Sequence, residues 1–156
     1  MTIAVGPKPA YDVVVDVGSI GSRSPETVGV TLRDSRALAV GSRFTGHNRN
    51  GRFRWSTRCT VVAADAGREF AFDVASAGFP ISSWRYEFAP TEDGTGTVVT
   101  ETWYDRRGML MKALSTVVTG VRDRPPHNRR TMQATLAALK TQLEERPHEQ
   151  PEGDAP

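Results

Sequence analysis

The sequence predicts an α+β fold, an antiparallel sheet followed by C-terminal helices. Three observations carry this. An Asn50-Gly51 pair joins two alternating segments, and such a pair marks a hairpin because its turn positions favour positive φ. Alternating segments then recur up to Asp105, with an apolar face and a polar face, as in a sheet wetted on one side. Beyond Arg107 the pattern changes to helical spacing. The chain has 156 residues, 38% of them hydrophobic and 24% charged, which suits one globular domain. We expect that domain over residues 1–146, and a polar, proline-rich, disordered tail over 147–156.

The N-terminal third is ambiguous. Val13-Val14-Val15 favours a strand, yet Lys8-Pro9-Ala10 looks like a helix start, with Tyr11, Val14 and Val15 on one helical face. Ser24-Pro25-Glu26 looks like the start of a further short helix. Next, the Asn-Gly turn joins Ser42–Arg49 to Arg52–Ala63. A two-residue loop would pair Asn48 with Phe53, Gly46 with Trp55, and Phe44 with Thr57. Side chains alternate across a strand, so Phe44, Gly46, Asn48, Phe53, Trp55, Thr57 and Cys59 share the apolar face. Arg43, Thr45, His47, Arg54 and Ser56 share the wet face.

The meander continues through Glu69–Ala75, with Phe70, Phe72 and Val74 together. Gly78-Phe79-Pro80 should break it. Ser82–Ala89 aligns Trp84, Tyr86 and Phe88, and Thr97–Asp105 aligns Val99, Glu101 and Trp103. Sequential hairpins make a meander the economical topology. Arg107–Thr119 reads as a helix with a stripe of Leu110, Leu114, Val117 and Val118, stopped by Gly120. His127–Glu145 reads as a second helix, with Met132, Leu136, Leu139 and Leu143 on one face and Asn128 heading that face. Proline is tolerated at its start.

Composition narrows the function classes. The formal net charge is +2, and the basic residues come as pairs interleaved with acids. That is a solvated mixed surface rather than a nucleic-acid patch. No apolar run reaches membrane-spanning length, and the N-terminus lacks the apolar core of a signal peptide. A cytoplasmic location without membrane insertion is the expectation. Cys59 is the only cysteine, which excludes an intrachain disulfide. No residues have metal-ligand spacing, no phosphate loop is present, and no nucleophile elbow supports a serine hydrolase. No cofactor is expected.

The order of short motifs resembles a known family. It runs Ser24-Pro25-Glu26-Thr27, Gly41-Ser42-Arg43-Phe44, Gly46-His47-Asn48-Arg49, Trp55-Ser56-Thr57, Phe70-Ala71-Phe72, Trp84-Arg85-Tyr86, Thr100-Glu101-Thr102-Trp103 and Arg122-Asp123-Arg124 before His127-Asn128. It is similar to the actinobacterial branch of the polyketide cyclase/dehydrase proteins in the START-like (SRPBCC) superfamily, from about Pro9 to Leu143. The resemblance implies a helix-grip fold: a curved antiparallel sheet wrapped around a long C-terminal helix, with two short helices after the first strand. Pro9–Val17 would then be helical despite its valines. It also implies an internal cavity for a small hydrophobic or polyketide-like molecule. Some relatives cyclise polyketides and others only carry a ligand, so the fold leaves catalysis open. Two departures stand out. Only Thr2–Val5 is available for a first strand that is longer in relatives, and Arg23 stands where relatives have Trp. Trp-rich strands and the shortened first strand leave a homodimer through a sheet edge open.

The inward face supplies the candidate site. Glu101 lies between Val99 and Trp103. A carboxylate among apolar side chains is costly when charged, which raises its pKa and suits it to acid–base chemistry near neutrality. The alternative is a carboxylate tied to Arg or main chain. Tyr86 could donate to an enolising carbonyl. Asn48, Trp55, Thr57, Phe72, Trp84, Trp103, Asn128 and Met132 are expected to contact ligand. Several have a structural alternative: the aromatics as ordinary core, Asn48 as a backbone-satisfying amide, and Asn128 as an amide that reaches the sheet. Arg122, Asp123 and Arg124 are expected to form surface ion pairs or caps.

Overall fold

A computed structural model describes residues 1–33 and 37–145. The expected tail lies outside the described residues. Seven strands form one antiparallel sheet: β1 (Thr2–Ile3), β2 (Thr27–Leu32), β3 (Arg43–Asn50), β4 (Phe53–Asp65), β5 (Glu69–Ser76), β6 (Phe79–Pro90) and β7 (Thr97–Asp105). Their spatial order is β1-β7-β6-β5-β4-β3-β2. Strands β2 to β7 are thus a meander, and β1 pairs with its last strand. Helix α1 (Pro7–Val15) and a 3₁₀ helix (Val17–Ser22) separate β1 from β2, while α2 (Met109–Thr119) and α3 (Arg124–Glu144) close the chain. This is the helix-grip arrangement, with α3 held against the curved sheet.

Curvature has a visible cause. The ladders slip between Thr27 and Gly29, between Val61 and Ala63, and between Val74 and Ala75. Such bulges bend a strand and increase its twist. Pro80 sits within β6 beside the third irregularity, where a missing N–H is tolerated. The expected break at Gly78-Phe79-Pro80 therefore moves back to the Ala77-Gly78 turn. Both residues there have positive φ, 49° and 83°.

Three more local expectations change. The first hairpin pairs Asn50 with Phe53, Asn48 with Trp55, and Gly46 with Thr57. The loop is Gly51-Arg52, not Asn50-Gly51. Only its first residue has positive φ, at 55°, as in the Gly-first class of tight hairpin turns. Asn50 is then free to donate from Nδ2 to the Thr119 carbonyl at 3.0 Å. Ser24-Pro25-Glu26 starts no helix. Ser24 instead accepts at Oγ from the Thr27 N–H at 2.9 Å, turning the chain into β2, an edge strand absent from the sequence expectations. Helix α3 starts at Arg124, so both prolines lie in its first turn, where no N–H partner is lost.

The valine run is helical, because α1 docks rather than pairs. Ala10, Tyr11 and Val14 are buried on it. Tyr11 packs edge-on to Phe70 and Phe88, with ring centroids 6.5 and 5.7 Å away. Burial of that face outweighs the weak strand preference of valine. Arg23 holds this region to the C-terminal helix. It is only 6% exposed and donates to the carbonyls of Val13 and Asp16, to Ser19 Oγ and to Gln142 Oε1. The departure at Arg23 thus serves the packing of the short helices. Ile3, Phe70, Val99 and Leu139 are the centre of the core.

Candidate functional site

A cavity of about 400 Å³ lies between the concave face of the sheet, α2 and α3. That volume is in the range of small-molecule sites. The strand registers explain its walls. Phe72, Trp84 and Trp103 are consecutive partners across β5, β6 and β7. Asn48 and Trp55 are partners across β3 and β4. All of these point inward because alternate residues share a face. Helix α3 adds Asn128, Thr131, Met132 and Thr135. Trp84 and Trp103 are tilted against each other, with centroids 6.5 Å apart. The chain has three tryptophans, and all three line this one cavity.

All ten residues singled out from the sequence line the cavity: Asn48, Trp55, Thr57, Phe72, Trp84, Tyr86, Glu101, Trp103, Asn128 and Met132. The error in hairpin register did not displace them. The shift was two residues, and a shift of two keeps every side chain on its face.

Glu101 and Tyr86 are register partners. The Tyr86 hydroxyl donates to Glu101 Oε1 at 2.6 Å. Glu101 Oε2 is buried and has no hydrogen-bond partner among the described residues. Burial disfavours the charged carboxylate and pushes the Glu101 pKa up to about 7, although the Tyr86 hydrogen bond pulls the other way. Burial and the neighbouring carboxylate also hold the Tyr86 phenol well above its ordinary value, with Arg23 opposing. The pair can therefore exchange one proton near neutral pH while the phenol stays protonated. Cys59 is buried too, and desolvation pushes its thiol up to about 12. It behaves as a small apolar wall residue rather than a nucleophile.

A second polar group stands at the other side. Arg124 donates to both Glu26 oxygens, at 2.8 and 3.1 Å, and its guanidinium lies 5.4 Å from the Trp55 ring centroid. The two ionic side chains are only 13% and 15% exposed. This is a sheltered ion pair lining the cavity, not the surface pair expected. Asn128 is 4% exposed, and its Oδ1 lies 3.5 Å from Arg124 Nη1. Asn48 accepts at Oδ1 from the Thr27 hydroxyl at 3.0 Å and reaches the Gly46 carbonyl and Thr57 Oγ1 through Nδ2, each at 3.4 Å. It ties β2, β3 and β4 together at the wall.

Sequence reasoning missed Glu26, Arg124 and the contribution of α2. Glu26 and Arg124 lie 98 positions apart, and no spacing rule links such residues. Met111, Leu114 and Val118 of α2 also line the cavity. Arg107 anchors that helix: it donates to Asp105 at 2.8 Å and to Ser115 Oγ at 2.7 Å. The same contact holds the Asp105 carboxyl below its ordinary pKa. Among the described residues no group of His, Cys, Asp and Glu is arranged to hold a metal ion, and no helix is long and apolar enough to cross a membrane.

Comparisons with known proteins agree with this fold. The sequence model of one protein family, described as polyketide cyclase/dehydrase and lipid transport, matches residues 1–144. Among solved structures, a polyketide cyclase-like protein from Corynebacterium glutamicum is 26% identical, with a TM-score of 0.56 over 96% of this chain and 93% of that one. The di-domain aromatase/cyclase StfQ from the steffimycin biosynthetic pathway is 16% identical, with a TM-score of 0.66; the match covers 94% of this chain and 49% of StfQ. The major latex-like protein 151 of Panax ginseng is 12% identical, with a TM-score of 0.66 over 92% of this chain and 93% of that one. The last two show a shared fold. No curated protein matches the chain.

Proposed function

Because the chain belongs to the polyketide cyclase/dehydrase and lipid transport family, we propose that it binds an apolar, polyketide-like small molecule in the cavity between its sheet and α3. One observation carries this reading: an aromatic-walled space of about 400 Å³ into which all three tryptophans face. Aromatic walls suit a flat, polycyclic body. Glu101–Tyr86 and Arg124–Asn128 then supply the few polar contacts that orient a ligand in an otherwise apolar site.

The tryptophans make the test direct. A flat probe such as 2-naphthol should quench their fluorescence saturably. Native mass spectrometry of the purified protein should show a co-purifying small molecule. Linear, non-saturable quenching together with a mass equal to the bare chain would defeat the reading.

A second reading is supported by the Glu101–Tyr86 pair. A carboxyl group titrating near 7 beside a phenol 2.6 Å away is suited to proton transfer during cyclisation or dehydration of a poly-β-ketone. Holding such a chain folded would itself give much of the rate gain. Glu101→Gln distinguishes the readings. A pure binding protein has no turnover to lose, whatever the change in affinity. A cyclase loses turnover of a β-polyketone by about 10²-fold or more.

A further inference from the structure

Helix α2 is apolar on two sides. Its inner side, with Met111, Leu114 and Val118, lines the cavity. Its outer side carries Met109, Leu110 and Val117, which are 90%, 78% and 73% exposed. Its polar side carries Lys112, Ser115, Thr116 and Thr119, so only part of its apolar arc is covered by the cavity and the rest faces outward. The helix meets the sheet chiefly at β4. It is tethered by Asn50 at its C-terminal end and by Arg107 near its middle. Phe79, at the β5–β6 hairpin, also lines the cavity while 54% exposed. The mouth thus lies between that hairpin and α2.

We infer that the outer face of α2 docks on an anionic lipid bilayer and sets the mouth of the cavity against the membrane surface. Charge supports this occupant. No acidic residue occurs between Asp105 and Asp123, whereas Arg106, Arg107, Lys112 and Arg122 all fall in that stretch. Arg106 and Arg107 are paired with Asp73 and Asp105, which leaves exposed Lys112 as the unneutralised charge on the helix itself. Aliphatic side chains with a cationic flank are the composition of an interfacial helix.

Other occupants fit less well. A helix of 11 residues is about 16 Å long, too short to supply the roughly 800 Å² per partner of a stable protein interface. The exposed face has no Trp, Tyr or Arg anchor of the kind that dominates protein interfaces. A bilayer needs neither large matched area nor anchors. Docking in this sense is shallow and involves no spanning segment. It stands apart from the identity of any ligand in the cavity, and its test does not read the cavity.

Co-sedimentation of the full chain with vesicles checks the proposal. Phosphatidylcholine vesicles containing phosphatidylglycerol should retain the protein at least about tenfold better than pure phosphatidylcholine. Leu110→Asp and Val117→Asp, at exposed positions, should each weaken retention more than about tenfold with an unchanged melting temperature. Lys112→Ser should weaken it about fivefold. Equal retention by both vesicle types, no retention by either, or full retention of Leu110→Asp would each overturn the docking. So would a wild-type dimer in light scattering that Leu110→Asp dissolves, since that result assigns the face to a second copy.

Discussion

The two ends of the grip use the same strands and the same helix, yet one is filled and the other hollow. At the filled end, Phe70, Phe88 and Val99 lie on neighbouring strands and are 0%, 5% and 0% exposed. Helix α1 plugs this end through Tyr11, and α3 contributes Leu139 and Leu143. Two or four residues further along the same strands, the inward positions are Phe72, Trp84 and Trp103, and α3 offers Asn128 and Met132 to open space. The covering helix there is α2, where Met109, Leu110, Leu114 and Val117 remain half or more exposed. The rung Phe70–Tyr86–Glu101 divides the two ends, so the one buried carboxylate–phenol pair forms the floor of the cavity. A sheet of uniform alternation thus yields a packed half and a hollow half according to which helix closes it.

Four measurements break or sharpen that contrast. The largest effect belongs to the filled end. Phe70→Ala should lower stability by about 3–5 kcal/mol, because a fully buried ring leaves a cavity its neighbours cannot fill. Trp84→Ala, beside existing empty space, should cost less than half as much in the same chemical denaturation series. Equal losses would erase the division.

The second concerns the dividing rung. The folded pKa of Glu101, about 7, lies above its ordinary 4.5, so the native state holds a proton that the unfolded chain releases. The sign follows: this group's contribution to stability falls as pH rises from about 4.5 to 7 and is level above that. The loss is on the order of 2–3 kcal/mol. Glu101→Gln should gain on wild type by that amount between pH 5 and pH 8. Tyr86→Phe should move the Glu101 titration higher still, as followed by carbon-detected NMR, since the phenol favours the charged carboxylate.

The third addresses the hold on α2. Gly120 has φ 69°, and a Cβ there would meet the Phe53 ring. Gly120→Ala should cost roughly 1–2 kcal/mol and shift the tryptophan emission, because the helix it ends covers the cavity. An unchanged emission would mean that α2 and the cavity are independent. The smallest effect is a control at the filled end. Lys8 and Asp12 form an ion pair at 2.7 Å with side chains 65% and 51% exposed. Lys8→Ala should change stability by less than about 0.5 kcal/mol.

Much of the site was legible because side-chain direction in a strand depends only on parity. Asn48, Trp55 and Thr57 were assigned to the correct face even though the hairpin turn was placed one residue early and the pairing was off by two. The Glu101–Trp103 face followed from alternation alone, and Met132 and Asn128 from helical spacing. Other features had no local signal. The helix over Val13-Val14-Val15 is decided by the docking of Tyr11, and β2 is an edge strand whose Thr-Val-Gly-Val-Thr-Leu pattern is weak. The stripe Leu110, Leu114, Val117 and Val118 has the spacing of a packed face, but spacing cannot say whether anything packs on it.

By itself, then, the sequence determined the meander, the α+β class, the inward set and the helical C-terminus, because each rests on periodicities of two or 3.6 residues. Only the tertiary structure decided where the sheet bends, that Arg124 joins Glu26 beside Trp55, that Glu101 meets Tyr86 at the floor of the cavity, and that α2 is left half uncovered. Those depend on which distant segments come together and what they exclude. Burial, not local pattern, sets the energy of a charge or an apolar face.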